Sequence, residues 1–257
     1  MTRYIDRDLL GHMMWKPEEK VAPQQLPPPI LQQEWRPTGG TYILLPQQST
    51  YAQGVDALKE ACKAEANPAH PQFVLNDGSR VYRPLTFKET IEAQVTDYEN
   101  HKDPEERLRL FKRQNDSCTG IVYQAGTTKF KIVPICLQLI TIYKDFNGTA
   151  LSIKYDDLEG VEVDRAAGKY TAWLLKDEVL THEGWRAAVE GDIELLKAYR
   201  DIVFAERNTA MAFAVLDRPT DDQIRFLFAS HIYNNFNAVG TLNLSFGGSF
   251  LHFVDDM

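Results

Sequence analysis

The stretch NDSCTGIVYQAG, Asn115 to Gly126, holds the residue best placed to do chemistry. Cys118 stands between Ser117 and Thr119, with Asp116 two positions before it and Gly120 two after. The reactive form of cysteine is the thiolate, which needs a lowered pKa from a helix N-terminus or from nearby cations. Arg107, Arg109, Lys112 and Arg113 lie just upstream, and Lys129 and Lys131 are expected to return beside the cysteine in a hairpin. A thiol nucleophile also needs a base within hydrogen-bond reach. Of the six histidines (His12, His70, His101, His182, His231 and His252), His252 in GSFLHFV stands on an evident strand. The constellation is then Cys118 as nucleophile, His252 as base and Asp116 as orienting acid, in a thiol-dependent hydrolase or transferase.

The run Asp116-Ser117-Cys118-Thr119-Gly120-Ile121-Val122 resembles the nucleophile segment of NlpC-like cell-wall cysteine peptidases, Asp-Cys-Ser-Gly followed by apolar residues. The resemblance covers seven residues, and here Ser117 separates the acid from the cysteine. In that family the cysteine opens a helix, whereas Ile121, Val122 and Tyr123 prefer a strand. The competing expectation, ranked first, is a packed, inert thiol, because cysteine is among the most buried residue types. Cys62, one turn after Leu58, and Cys136, between Ile135 and Leu137, are expected in the core.

Other chemistries find less support. No two histidines have the i, i+4 spacing of a helical metal pair, and none combines with cysteine at finger spacing. YDDLEGVEVD offers Asp156, Asp157, Glu159, Glu162 and Asp164 to a hard cation, but without the spacing of a calcium loop. There is no Gly-x-Gly-x-x-Gly, no P-loop lysine and no Gly-x-Ser-x-Gly elbow. The basic cluster RLRLFKR follows Glu105 and Glu106, which is the order a helix dipole favours, acids first and bases last. No cofactor and no metal are expected.

The composition bounds the rest. The 257 residues carry a net charge of −8 and are 44% hydrophobic, ordinary values for a globular chain long enough to bury a large core. A net acidic field opposes binding to phosphate backbones and anionic lipid, so neither nucleic acid nor membrane is an expected partner. No run approaches the roughly 18 apolar residues of a membrane span. Arg3, Asp6, Arg7 and Asp8 are unlike a signal peptide, and three cysteines cannot all pair. A reducing, cytoplasmic setting is expected.

The elements that must position these residues fall into two regions. Residues 1–40, rich in Pro and Gln with Pro27 to Pro29 favouring polyproline II, are expected to be either a tail or linker or an extended arm that wraps a partner, and the arm is the sharper expectation. Ile30, Leu31 and Trp35 are its expected contacts with a protein partner or a second copy, since apolar and aromatic anchors carry most contact energy. Residues 41–257 are expected to be a single globular domain. Asn76-Asp77-Gly78 predicts a hairpin between two β-rich runs. Thr86 with Glu89 predicts a capping box. Short strands are expected at 121–123, 129–133, 137–143, 151–155 and 161–163, as an antiparallel meander. Helices are expected over 103–114, from Trp185 to Glu206 as an αα-hairpin, and again in DDQIRFLFASHIY after a Thr220–Gln223 capping box. The end, TLNLSFGGSFLHFV, predicts a second hairpin about Gly247-Gly248. AAVEGDIELLK, Ala187 to Lys197, is similar to the helix–turn–helix core of an ankyrin repeat, over about eleven residues and without a 33-residue period.

Helices and strands in blocks predict an α+β fold rather than a doubly wound sheet. No chemistry-bearing constellation exceeds the structural reading of its own residues. The expected function is therefore a non-enzymatic binding or assembly protein acting through the N-terminal arm.

Overall fold

The computed structural model describes residues 31–32, 40–65, 67, 69–74, 78–207, 210–232 and 235–254. In chain order they form β1 (Leu31–Gln32), β2 (Thr41–Leu44), α1 (Tyr51–Glu65), β3 (Gln72–Val74), β4 (Arg80–Tyr82) and α2 (Phe87–Asn100). Then come β5 (Asn115–Tyr123), β6 (Lys129–Val133), α3 (Leu137–Ile140), β7 (Leu151–Ser152), β8 (Val161–Asp164) and β9 (Trp173–Leu174). The chain continues through α4 (Lys176–Val179), α5 (Glu183–Ala188), α6 (Ile193–Arg207), β10 (Met211–Ala214), β11 (Gln223–Ile232), β12 (Asn235–Val239) and β13 (Leu251–Val254).

Eight strands make one mixed sheet in the order β8-β6-β5-β11-β12-β10-β9, with β7 pairing the start of β11. β5 and β11 lie at its centre, and every residue of β5 is buried. The side-chain period of two sends Ile121 and Tyr123 to one face and Val122 to the other. On the first face they meet Phe87 and Ile91 of α2, Trp185 of α5 and Tyr199 and Val203 of α6. On the second face, Val122, Ile224, Phe226 and Phe228 pack on Tyr51, Val55, Leu58 and Cys62 of α1. Two smaller sheets complete the body: β1-β3-β4, and β2 with β13.

The local signals that hold are those answered locally. Thr86 accepts the Glu89 amide at 3.1 Å while Glu89 accepts the Thr86 amide at 2.7 Å, closing a capping box on α2. Glu89 is held in turn by Arg83 at 2.7 Å. β3 and β4 pair antiparallel as the hairpin signal predicts, with the turn itself outside the described residues. Between α5 and α6 stand Gly191, at φ 79, and Asp192, whose carboxylate accepts the Leu195 amide at 3.0 Å.

Five expectations are corrected. DDQIRFLFASHIY contains not a helix but β11, whose Ile224, Phe226 and Phe228 face one side and Leu227 and Ala229 the other. A strand covered on both faces loses the polar alternation that would mark it. Leu137–Ile140 is a short helix rather than a strand. Residues 103–112 form successive hydrogen-bonded turns, among them Arg107 to Asp103 at 3.0 Å, rather than a regular helix. β13 does not pair across Gly247-Gly248 but with β2, Leu251 opposite Leu44 and Val254 opposite Thr41. The sheet is also not wholly antiparallel, because β10 and β12 run parallel. As for the arm, Leu31 pairs within its own chain, opposite Val74 of β3, while Ile30 and Trp35 lie outside the described residues.

Candidate functional site

Cys118 stands where β5 departs from regular pairing. Phe226 of β11 faces Gly120 and Phe228 faces Asp116, so two steps on β11 span four on β5. In this bulge the Cys118 amide donates to Leu85 at 2.9 Å and its carbonyl accepts from Cys136 at 3.0 Å. The thiol is fully buried, donates to the Pro84 carbonyl at 3.3 Å and sits among Phe73 and Ile140. Burial pushes its pKa up to about 12 despite the Arg83 guanidinium nearby. A thiol so held stays protonated at neutral pH, the opposite of what nucleophilic attack requires.

Its expected partners are engaged elsewhere. Asp116 is buried, accepting from Gln114 at 2.9 Å and from the Gly248 amide at 2.6 Å. Loss of solvation raises its pKa to about 7, against the pull of those two hydrogen bonds. Gly248 permits this contact, because a Cβ there would stand 2.6 Å from the Asp116 carboxylate. His252 lies on β13 against a different cysteine.

That cysteine is Cys62, whose sulfur is 3.5 Å from His252 Nδ1. His70 completes a cluster in which the sulfur and one nitrogen of each ring lie within 4.8 Å of one another, with all three residues buried. The two rings are 5.1 Å apart, centroid to centroid. His70 Nε2 faces the Arg83 carbonyl at 2.9 Å, so it carries the proton, and Nδ1 accepts the Phe253 amide at 3.1 Å. Burial is the main force pushing the His70 pKa down, to about 3, so the ring is neutral. Cys62 was recognisable as a core position of α1. Its partners were not, because helix, loop and strand meet only through the β2–β13 pairing.

The acidic loop is spent on pairings of its own. Glu162 meets Lys129 at 2.9 Å, and Asp164 accepts from Thr128 at 2.6 Å and from the Ala166 amide at 2.9 Å. Among the described residues no carboxylates gather as a metal-binding group. The basic cluster is likewise paired: Arg107 reaches Glu206, Arg109 reaches Asp97 and Lys112 reaches Glu105, each at 2.5 Å.

Among the described residues one concave surface lies near the β9 edge of the large sheet. β9 pairs with β10 on one side, and among the described residues no strand covers the other. Trp173 and Leu175 are 51% and 67% exposed, while Leu174 between them is buried. On the side to which Leu174 turns, a pocket of about 260 Å³ is lined by Tyr170, Leu174, Lys169, Glu178, His182 and Glu183, among others. The loop entering β9 carries Thr171 at φ 61, a conformation costly for a β-branched residue. The Thr171 amide, donating to Phe213 at 2.9 Å, helps to hold it there.

The ionisable groups of this pocket serve its shape. His182 caps α5, accepting the Trp185 amide at 3.3 Å, and donates to the Lys169 carbonyl at 3.0 Å. Burial lowers its pKa and keeps it neutral. Glu178 pairs with Lys169 and also accepts the Leu175 amide at 2.8 Å. Both His182 nitrogens and the Glu178 carboxylate are therefore engaged, so neither group is free to act as a general base. Nothing in the sequence marked it; that Trp173 faces water is seen only in the fold.

No family model matches the sequence, and no curated protein matches it significantly. One solved structure shares the fold, that of a protein described as showing how the C-type lectin fold accommodates massive sequence variation in Nanoarchaeota. It superposes with a TM-score of 0.55 at 12% identity, covering 86% of this chain and 100% of that one. The likeness establishes a mixed α/β fold of C-type lectin type. Among the described residues no helix is long and apolar enough to cross a membrane.

Proposed function

We propose that this chain is a non-enzymatic binding and assembly protein whose β9 edge receives the Pro/Gln-rich arm of a second copy. The observation that carries the reading is the exposed pair Trp173, on an uncovered edge strand, and Leu175, just after it. Aromatic-lined grooves take proline-rich chains at low entropic cost, because polyproline II is already extended. Tryptophan is also the residue most enriched among contact hot spots.

The occupant follows from what lies before β1. Thirty residues precede Leu31, and they include Pro23, Pro27, Pro28 and Pro29. At about 3.1 Å per residue an extended arm spans up to roughly 90 Å, several times a domain radius near 18 Å. Such an arm reaches a neighbouring copy, and a two-fold exchange repeats each contact. Ile30 and Trp35, on either side of Leu31–Gln32, supply its apolar anchors. A fold that accommodates massive sequence variation in the Nanoarchaeota protein suits a scaffold whose surface is free to specialise in recognition.

Analytical ultracentrifugation of the full chain, of a chain lacking residues 1–38, and of the Trp173→Ser/Leu175→Ser variant tests this. A dimer that becomes monomeric in both altered chains is expected. A peptide spanning Val21 to Arg36 should then bind the shortened chain and not its Trp173→Ser/Leu175→Ser form. A monomeric wild type, or a dimer that survives loss of the arm, overturns the proposal. A monomer whose arm occupies its own β9 edge would show peptide binding only after truncation, and would overturn assignment to a second copy.

A further inference from the structure

We propose that Cys62, His70 and His252 form a three-coordinate site for a soft monovalent cation, Cu(I). The three side chains come from the last turns of α1, the segment before β3, and β13, and none is more than 1% exposed. Their donor atoms already converge within 4.8 Å, one sulfur and two imidazole nitrogens. The 3.5 Å between Cys62 Sγ and His252 Nδ1 is close to what two ligands show when each sits about 2.0–2.3 Å from a shared metal. Closing the third corner needs a ring movement on the order of 1 Å, well beyond the roughly 0.2 Å tolerance of metal–ligand distances, so the His70 ring must rotate into place.

At His70 half of the usual ligating arrangement is in place, and the other half is occupied, so the ring must turn off the Phe253 amide to ligate. Its Nε2–H is fixed by the Arg83 carbonyl at 2.9 Å, which turns the Nδ1 lone pair toward the backbone of Phe253, next to His252. The Phe253 amide occupies that lone pair at 3.1 Å, so its proton stands where a cation would lie. Binding exchanges this one hydrogen bond for a coordination bond. The Cys62 thiol releases its proton to solvent as the sulfur–copper bond forms, with no change of oxidation state.

Charge and softness select the ion. A thiolate with two neutral imidazoles around a monovalent cation has no net charge, which a fully buried site tolerates. A divalent ion would leave one positive charge, and the group contains no carboxylate to offset it. Thiolate and imidazole suit Cu(I), whereas calcium and magnesium require oxygen. The three ligands share no residue with the β9 edge, so the site stands whether or not the chain self-associates.

The test is anaerobic titration of the full-length chain with Cu(I) against a chromogenic chelator, with X-ray absorption of the loaded protein. One Cu(I) per chain is expected, with one sulfur and two imidazoles around it. Cys118→Ser/Cys136→Ser should retain it, while Cys62→Ser and His252→Gln should each weaken it at least tenfold. Equal retention by Cys62→Ser, a coordination shell without imidazole, or ready displacement by Zn(II) overturns the proposal. Circular dichroism confirms that each variant is folded, and the absorption spectrum of the wild type depends on no variant.

Discussion

The substitution Asp116→Asn should stabilise the protein increasingly as pH rises. The carboxyl group is completely buried, and its pKa is raised to about 7 by desolvation, against hydrogen bonds from Gln114 and Gly248. Among the described residues no lysine or arginine forms an ion pair with it. An unfolded aspartate titrates near 3.9, so folding shifts it by about 3 units, and each unit is worth about 1.4 kcal/mol. A pKa raised on folding means that the native state binds the proton more tightly. The contribution is fully present below about pH 4 and is lost as pH climbs through about 7, a total of about 4 kcal/mol. The introduced asparagine would imitate the protonated acid: its oxygen keeps the Gly248 amide, and Gln114 turns its amide over to accept from the new nitrogen. Urea unfolding of both chains between pH 4.5 and 8 isolates this one group, because every other titration cancels in the difference. The gap should widen by about 1.4 kcal/mol per pH unit and level off above pH 7. A gap independent of pH, or one that narrows as pH rises, would refute a desolvated, proton-retaining Asp116.

Three further outcomes follow from the packing. Cys118, buried with a thiol pKa near 12, should resist iodoacetamide at neutral pH and label only in denaturant; rapid native labelling assigned to Cys118 by peptide mapping would contradict it. Gly120→Ala places a Cβ 2.9 Å from Cys136 Cβ and should cost about 1–3 kcal/mol in urea unfolding, with no loss indicating that the β5 bulge relaxes freely. Thr171→Gly should stabilise the fold by about 1 kcal/mol by releasing a β-branched residue from φ 61, and unchanged or lower stability would show that the loop is not strained.

What the sequence disclosed depended on where each residue finds its partner. The Thr86–Glu89 box is satisfied within one turn, so two residue types at the right spacing sufficed. The same signature at Thr220 and Gln223 misled, because Thr220 turns to Asp221 at 2.9 Å and Gln223 enters a strand. Ile224 to Ala229 is apolar on both faces and carries no marker of its period. Gly247-Gly248 resembled a hairpin turn, yet at least one of the pair is glycine to leave room for the Asp116 carboxylate, a requirement set 132 positions away. The Cys–His pairing anticipated for His252 exists, but with Cys62, 190 positions distant, because β13 crosses back to β2. Spacing along a chain cannot report a contact created by such a return.

The return has a mechanical consequence. Thr41 faces Val254, so β2 and β13, far apart in the sequence, run antiparallel, with the first residue of one opposite the last residue of the other. A tether pulling on the two sides loads that ladder from its open end, parting its hydrogen bonds one after another rather than together. The clasp is therefore a zipper, weak under tension, and its first teeth lie next to Phe253, whose amide is held by His70. A ligand locking His70 to His252 and Cys62 would act as the slider's stop, turning this seam into a latched one.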